Sequence, residues 1–422
     1  MGALAEAASP QNSRTIASER AFVAFRHTRT KADALAVDLS LDLVTDRKAF
    51  DALETEWNCL FERTARSTQL FQSHAWLWHW CNHFLTSKND KTVSLAVVTG
   101  RRDGRLVIVC PFVRSSSMGL SNLSFMGDPV SQYGDILVED GPKAMSDIRQ
   151  AWNYALKSTG VDVIHLRKVR ADSAIAPFLA QIGTVTTDQQ VAPYLAFEGE
   201  TDYTKFEMRY SKSARRNRKR QLRRLQDQGE TTFERLGPGE AARDAVSLAL
   251  SLKRGWLKDR GLVSAAISDP RTEAFFRDCA ADGRHNANVK VGLVRTRGEV
   301  AAIELALSCR HRVAVHVIAY NLKFEKTGAG ALLMQDSIRQ ACESGYAVLD
   351  LLAPGSGYKF DWTDRAMAVN DHAMGLTAAG RLYASLYLKR MRPAAKSTIE
   401  QMPAILRRHL STVLAGLLVV GN

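Results

Sequence analysis

The same order of predicted elements occurs twice along this chain, and this repetition restricts the fold more than any other feature of the sequence. The first half contains helical segments, then the hairpin VSLAVVTGRRDGRLVIVCPFV, the helix SDIRQAWNYALKS and the strand VDVIHLRKV. The second half contains the hairpin NVKVGLVRTRGEVAAIELALS, the strand HRVAVHVIAY, the helix GALLMQDSIRQACESG and the strand YAVLDLL. Hairpins followed by a crossover helix and another strand are typical of mixed sheets. The sequence therefore predicts an α/β (α+β) fold with two domains of one plan.

Chain length and local composition suggest where these domains begin and end. The 422 residues exceed what one hydrophobic core usually supports, and 45% of them are hydrophobic. Residues 1–38 are rich in Ala, Ser, Thr and charge without an apolar period, so we expect a disordered tail there. We predict one domain over 39–200, a second over 201–385, and a C-terminal extension over 386–422.

The sequence favours a cytoplasmic location. The first residues lack the basic region and apolar run of a secretory signal, and no stretch reaches the roughly 20 apolar residues that span a bilayer. The six cysteines form no CxxC pair, which is typical of a reducing compartment. The apolar end LSTVLAGLLVVGN follows Arg407 and Arg408, and it is either a last element docked on the body or a segment lying on the inner membrane.

A strongly basic segment lies between the two halves. It contains RYSKSARRNRKRQLRR, with nine basic residues, in a chain of formal net charge +13. We predict a helix over 209–226, capped by Ser211 or Ser213 and tethered at its far end by Leu222 and Leu225.

Three interpretations of this basic helix stay open. Its charges go nearly all the way round the helix, so it can contact nucleic acid, bind phosphorylated or acidic ligands, or simply be solvated. Base stacking needs aromatic residues between the charges, and only Tyr210 is near, which disfavours nucleic acid. Arg215 and Arg216 are the candidate residues for binding an anionic substrate.

A glycine turn connects a strand to a helix in the second half. The segment YNLKFEKTGAGALL contains Lys326, Thr327, Gly328, Ala329 and Gly330. Glycines let backbone amides approach a ligand closely, and the helix start offers unpaired N–H groups to a pyrophosphate. The alternative is a flexible turn without a ligand.

The strand that follows this helix ends in a second unusual motif, LDLLAPGSGYKFDW. The crossover returns this strand beside the first, so Tyr358 and Lys359 are expected close to the glycine turn. Lys359 is a candidate cation aimed into a shared cleft, or else a solvated lysine with its stem on the neighbouring rings.

Two acids in apolar strands are the remaining catalytic candidates. Glu304 lies mid-strand in VAAIELALS, and Asp350 lies in the last strand of the second half. A buried carboxylate has a raised pKa, so Glu304 is the candidate general base; a salt bridge to Arg295 or Arg312 is the alternative. The histidines and cysteines have no convincing metal-site spacing, and no metal is predicted.

Taken in order, several segments resemble the CelD-like acetyltransferases associated with cellulose and exopolysaccharide synthesis, relatives of the FemABX aminoacyl ligases. These segments are SKSARRNRKR, the glycine turn with GALL, ESGY, AVLDLL and GxGYKFxW, together with LFQSHAWLWHW and SFMGDPVSQYGDILV in the first half. The resemblance covers roughly residues 40–385. It implies two tandem GNAT-like domains whose mixed central sheets flank a cleft, and acyl transfer with acyl-CoA as the donor.

The resemblance also implies roles for individual residues. Lys359 matches a lysine that the related ligases are thought to use to stabilise an oxyanion or to hold an acceptor anion, and Tyr358 is an acid or an orienting hydroxyl. Asp128, Tyr133 and Asp135 of GDPVSQYGD form an acceptor-side wall, although Gly, Pro and Asp also make ordinary turns.

One position departs from the resembling family. The GNAT donor loop usually has the pattern (R/Q)xxGx(G/A), whereas this chain has Glu325 at its first position. An acid there would repel a pyrophosphate, and Lys323 and Lys326 are the expected compensation.

The predicted function is acyl transfer from acyl-CoA to an amine or hydroxyl of a sugar or other cell-envelope precursor, by a GNAT-fold N- or O-acyltransferase. Two alternatives are kept. A FemABX-type ligase would use aminoacyl-tRNA and give the basic helix an RNA role. A non-catalytic protein would bind an anionic polymer through the same helix.

Overall fold

The computed structural model describes residues 39–85, 93–262, 264–283 and 289–402. The predicted tail over 1–38 and the apolar end beyond residue 402 lie outside these ranges. The strands are β1 (Ser40–Val44), β2 (Val93–Leu95), β3 (Val97–Arg102), β4 (Arg105–Cys110), β5 (Phe112–Ser117), β6 (Leu120–Phe125), β7 (Leu137–Val138), β8 (Val163–Arg170), β9 (Val185–Ala196), β10 (Thr231–Leu236), β11 (Val289–Thr296), β12 (Glu299–Cys309), β13 (Arg312–Tyr320), β14 (Val348–Asp350) and β15 (Arg365–Gly375).

Helices connect these strands. They are α1 (Arg47–Ala52), α2 (Glu54–Thr64), α3 (His74–Phe84), α4 (Ala144–Thr159), α5 (Ala176–Gln181), α6 (Tyr203–Phe206), α7 (Lys212–Gln226), α8 (Glu240–Asp259), α9 (Ala265–Ser268), α10 (Pro270–Ala281), α11 (Ala329–Glu343), α12 (Gly357–Phe360), α13 (Ala378–Leu382) and α14 (Arg392–Gln401). A 3-10 segment, Leu322–Thr327, leads into α11, and a π-helical segment, Tyr383–Met391, follows α13. In the described part of the chain no helix is both long and apolar enough to cross a membrane.

Strands from both halves of the chain form one large mixed sheet. Within the described residues its order is β10-β11-β12-β13-β14-β9-β15-β8-β6-β5-β2, and β1, β3, β4 and β7 form a smaller sheet. β9 of the first half pairs antiparallel with β14 of the second, and β15 lies between β9 and β8. The predicted mixed α/β fold is confirmed, with the halves joined by an exchange of strands.

Helices cover both faces of the second half's strands. On one face α8 and α10 bury Val246, Leu250 and Phe275 against the sheet. On the other face α11 and the basic helix α7 bury Leu225 and Leu333. Full burial of one such side chain contributes about 1.5–3 kcal/mol, so the apolar stripe of each helix fixes which face it covers.

The basic helix begins directly after a serine that caps its N-terminus. Ser211 has extended backbone geometry, and its side chain accepts a hydrogen bond from the N–H of Ala214. Ser211 is thus the cap, rather than Ser213, and α7 begins at Lys212. A short 3-10 turn, Glu207–Arg209, precedes it.

The sheet opens between β13 and β14. These two strands pair in parallel at three positions, from Arg312 opposite Val348 to Ala314 opposite Asp350. Beyond this point β13 runs on to Tyr320, whereas the chain after Asp350 turns towards α12. Six residues of β13, about 20 Å of strand, therefore extend past the end of the pairing. The opening faces the start of α11.

Candidate active site

A cavity of about 680 Å³ lies at this opening. Its walls come from the end of β13, the start of α11, helix α12 and the inner sides of α7 and α8. Its lining includes Arg218, Trp256, Gly328, Gly330, Tyr358 and Trp362. The glycine turn and the tyrosine of the YK motif thus line one cavity.

The glycine turn provides backbone donors at one end of this cavity. Gly328 caps α11 in the left-handed conformation, with φ +75°, and the carbonyl oxygen of Gly328 accepts the N–H groups of Ala331 and Leu332. A Cβ at Gly328 would lie 2.4 Å from Nε2 of Gln221, so an alanine there would have to displace the side chain of Gln221. The first N–H groups of a helix lack acceptors within the helix, and the helix dipole adds positive potential at this end.

The unexpected acid of the loop is neutralised by a residue that is distant in sequence. Glu325 accepts hydrogen bonds from Nη2 of Arg260 at 2.7 Å and from the hydroxyl of Tyr320 at 3.0 Å. These two hydrogen bonds lower the pKa of Glu325. The lysines expected to compensate do not do so, since Lys323 pairs with Glu299 at 2.6 Å and Lys326 is exposed.

A buried arginine of the basic helix reaches the same cavity. Arg218 is 6% exposed, and its Cζ lies 4.1 Å from the ring centroid of Tyr210 and 4.3 Å from that of Trp362. Its Nη1 is buried and has no hydrogen-bond partner among the described residues. Two aromatic rings therefore hold the guanidinium of Arg218 in place, and its Nη1 can still donate a hydrogen bond to a ligand.

The two arginines predicted from the sequence are not part of this wall. Arg215 contacts the sulfur of Met208 at 2.7 Å, and Arg216 is exposed. The helical spacing of Arg218 with Leu222 and Leu225 is the signal that could have selected it, since these residues lie on one face of α7.

Tyr358 and Lys359 differ in their surroundings. Tyr358 lies in the cavity wall, and desolvation there raises the pKa of its hydroxyl. The ammonium of Lys359 donates to the carbonyl oxygens of Leu352 at 2.9 Å and of Pro354 at 2.8 Å. Desolvation lowers the pKa of Lys359 to about 8, with Asp350 acting against this shift and Lys253 adding to it.

Asp350 lies in a buried network that joins the two halves. The hydroxyl of Tyr133 donates to its Oδ1 at 2.9 Å, and Arg312 and Arg170 contact its Oδ2 at 2.9 Å and 3.4 Å. Asp350 and Arg170 are 0% and 2% exposed. The structure thus brings together the predicted residues Tyr133 and Asp350, in a network that fastens β14 to the first half.

The other two predicted wall residues lie apart from the cavity. Asp128 forms ion pairs with Arg167 and Lys168; burial raises its pKa, but these two cations outweigh the burial and lower it to about 2. Asp135 is buried and accepts hydrogen bonds from Gln69 at 2.8 Å and from the N–H of Ala174 at 3.0 Å.

The structure does not bring Glu304 to the glycine turn. Glu304 lies on β12 beneath α11, where its Oε1 accepts a hydrogen bond from Ser337 and lies 3.7 Å from Nη2 of Arg235. Ser337 is eight residues after Ala329, which is about 12 Å along the helix. The anticipated ion-pair partners are engaged elsewhere, Arg295 with Glu234 and Arg312 with Asp350.

Comparisons with known proteins agree with this architecture. A family model described as acetyltransferase (GNAT) domain matches residues 212–360, from the start of the basic helix through the YK motif. A crystal structure of FemX is similar over 79% of this chain and 98% of that chain, with a TM-score of 0.54 and 12% identity. A search of curated proteins gave no significant match.

Two further solved structures have lower scores. L-PGS from Bacillus licheniformis has a TM-score of 0.48 and 10% identity, covering 79% of this chain and 95% of that chain. A tandem GNAT protein from the clavulanic acid biosynthesis pathway has a TM-score of 0.45 and 12% identity, covering 80% and 98%. At such identities the FemX likeness concerns the fold alone.

The architecture is a mixed α/β fold of the GNAT type. Residues 212–360 of it match the family model described as acetyltransferase (GNAT) domain. The more specific resemblance to CelD-like proteins stays a prediction. Among the described residues, no group of three or more His, Cys, Asp or Glu side chains is arranged to hold a metal ion.

Proposed function

We propose that this protein transfers an acyl group from acyl-CoA to an amine or hydroxyl acceptor in the cavity at the start of α11. The observation that carries the proposal is that two kinds of hydrogen-bond donor suited to an anion, an arginine side chain and backbone N–H groups, line one cavity. Arg218 lines it, and the buried Nη1 of this residue has no hydrogen-bond partner in the part of the chain that the structure describes; Gly328 and Gly330 line it at a helix start. A pyrophosphate needs both cationic and backbone donors, and these residues fit it.

The rest of the cavity suits the remainder of such a donor. Trp256, Ala319 and Met334 provide apolar surface for an aliphatic arm. Trp256 is held in place because its Nε1 donates to the hydroxyl of Tyr320 at 3.0 Å, and Arg260 stacks on its ring at 4.5 Å. These contacts fix the wall before a ligand binds, which lowers the entropic cost of binding.

Tyr358 and Lys359 are the proposed chemical groups. In acyl transfer the acceptor forms a bond to the carbonyl carbon and releases a proton to solvent, the C–S bond breaks, and the departing thiolate takes up a proton. Tyr358 is the proposed acid, since its raised pKa keeps it protonated at neutral pH. Lys359 is next to the cavity wall but is not one of its lining residues. It has three N–H donors, of which two are used on Leu352 and Pro354, and the third is proposed to stabilise negative charge on the thioester oxygen.

The acceptor is proposed to be a sugar or another cell-envelope precursor. The support is the resemblance of the sequence segments to CelD-like proteins, together with a basic surface that attracts acidic partners. Contact with a membrane through the C-terminal end stays a prediction, because that end lies outside the described residues.

A second candidate function is aminoacyl transfer from tRNA. It is favoured by the outer face of α7, where Arg216, Lys219, Arg220, Arg223 and Arg224 are exposed beside the cavity. A polyanion could lie along this face while its acylated end entered the cavity.

Donor binding and product formation separate these functions. We expect the purified protein to bind acetyl-CoA in native mass spectrometry and to release free thiol when amino sugars are added, with Tyr358→Phe slowing the release but retaining the donor. Labelling that requires aminoacyl-tRNA and weakens steeply with salt would instead support the ligase. Absence of both activities, with polyanion binding through α7, would leave the non-catalytic alternative.

A further inference from the structure

A second cavity, of about 650 Å³, lies under the other end of α11. The C-terminal half of α11 forms one side of it, and β10, β11 and β12 form the other, with Arg310 and His311 at the rim. It shares no lining residue with the cavity at the start of α11. Acyl transfer as proposed above makes no use of it.

A buried carboxylate is part of the lining of this second cavity. Glu304 lines it and is 3% exposed. Its Oε1 is engaged by Ser337, but its Oε2 is buried and has no hydrogen-bond partner in the described part of the chain. An unsatisfied buried carboxylate oxygen costs free energy, so a hydrogen-bond donor that reached Oε2 would stabilise this arrangement.

A glycine leaves room for Arg235 and Glu304, the charged residues that form the floor of this cavity. Gly292 on β11 lies opposite Glu304 on β12 in the antiparallel register, so both face α11. A Cβ at Gly292 would lie 2.3 Å from Nη1 of Arg235 and 2.9 Å from Oε1 of Glu304. Any side chain here would push these two groups out of their present positions.

The charges around the cavity restrict what it can bind. Arg235 lies 3.7 Å from Glu304 and donates to Asp336 at 2.7 Å, so the floor is already neutralised by a cation. The lining residues Lys290, Arg310 and His311 add positive charge or hydrogen-bond donors around it. A cationic ligand would meet this basic rim, whereas a ligand with hydroxyl donors for Glu304 and an anionic group for the rim matches both.

We propose that this cavity is a binding site for a sugar that carries a phosphate or a carboxylate. Hydroxyl groups of the sugar donate to Oε2 of Glu304, and the anionic group pairs with the basic rim. The site is separate from the donor cavity, so it can hold a polysaccharide unit or sugar phosphate independently of the acyl transfer proposed above.

Isothermal titration calorimetry tests this site with defined probes. Glucose 1-phosphate and glucuronate are titrated in parallel, with glucose and inorganic phosphate as the separated halves of the ligand. We expect at least one of the two sugar anions to bind at least 10-fold more tightly than glucose or phosphate. Tighter binding of the phosphate or of the carboxylate distinguishes the two ligand types.

Variants assign the binding to this cavity. Gly292→Ala and Glu304→Gln are expected to weaken binding at least 10-fold. The matched control is Gly255→Ala, at a position on α8 where an added Cβ meets nothing within 4 Å, and it should leave binding unchanged. Lys290→Ala at the rim offers a variant that does not touch the floor, and it should weaken binding of the sugar anion but not of glucose.

Two results would overturn the proposal. One is that neither sugar anion binds more tightly than phosphate alone. The other is that folded Gly292→Ala and Lys290→Ala proteins, checked by their thermal transitions, bind as the unchanged protein does. Arg218→Ala is expected to lose binding of CoA and to retain binding of the sugar anion, because the two cavities share no lining residue, so failure of one proposal does not imply failure of the other.

Discussion

Replacing Arg218 with glutamine tests the anchor of the donor cavity. The guanidinium is 6% exposed and lies between the rings of Tyr210 and Trp362 at 4.1 and 4.3 Å. A hydrogen bond from a charged group contributes about 1.5–3 kcal/mol, which is about 10- to 150-fold in Kd. We therefore expect Arg218→Gln to weaken CoA binding by about that factor.

The assay is calorimetric titration with CoA and with pantetheine, which lacks the pyrophosphate. The loss should appear with CoA and be absent with pantetheine, because Arg218 is proposed to contact the pyrophosphate. Arg223→Gln, an exposed position on the same helix, is the matched control and should retain the affinity for both. Equal weakening of CoA and pantetheine, or no weakening of either in a folded variant, would refute the assignment.

Three further predictions follow from the site and its supports. Gly328→Ala and Gly345→Ala both place alanine at positive φ, +75° and +71°, so each should lower the free energy of unfolding in urea by about 1–2 kcal/mol. Only Gly328→Ala should lose CoA affinity, because Gly328 lines the cavity at the start of α11, whereas nothing lies within 4 Å of a Cβ at Gly345. Asp350→Asn removes the charge partner of half-buried Arg312 and one of the two carboxylates that pair with buried Arg170, which keeps Asp172. It should lower the free energy of unfolding by about 3 kcal/mol, whereas exposed Asp140→Asn should change it by less than about 1 kcal/mol. The pKa of Lys359 is lowered from 10.5 to about 8, so between these pH values the unfolded chain binds more protons than the folded protein. The free energy of unfolding should therefore rise with pH from about 8 to 10.5 relative to Lys359→Met, and parallel pH profiles of the two proteins would contradict the lowered pKa.

Local signals in the sequence indicate the parts of the cavity at the start of α11 that follow one another along the chain. The glycine turn, the crossover helix and the YK motif lie within 45 residues, and one crossover rule is enough to bring Gly328 and Tyr358 to the same sheet opening. The cap at Ser211 is equally local, since it depends on one side chain and an N–H three residues later.

Long-range partners were not predictable in the same way. Arg260 neutralises Glu325 from 65 positions away, and nothing in the loop sequence indicates it. The periodicity around Glu304 correctly predicts a strand, but it cannot tell which end of α11 covers that residue. Arg218 is one of nine cations in its segment. Its spacing with Leu222 and Leu225 indicates the inward face of α7, but its packing against Tyr210 and Trp362 could not be predicted from the segment.

The position of β15 has a consequence for how the chain is made. This strand, Arg365–Gly375, separates β8 from β9, so neither of these earlier strands has its full set of neighbours until the last part of the chain has left the ribosome. During synthesis the first half holds a gap in its sheet with unpaired backbone groups on both sides, which other chains could fill. Fragments that end before residue 365 are therefore expected to aggregate, and adding the missing strand as a peptide should rescue them.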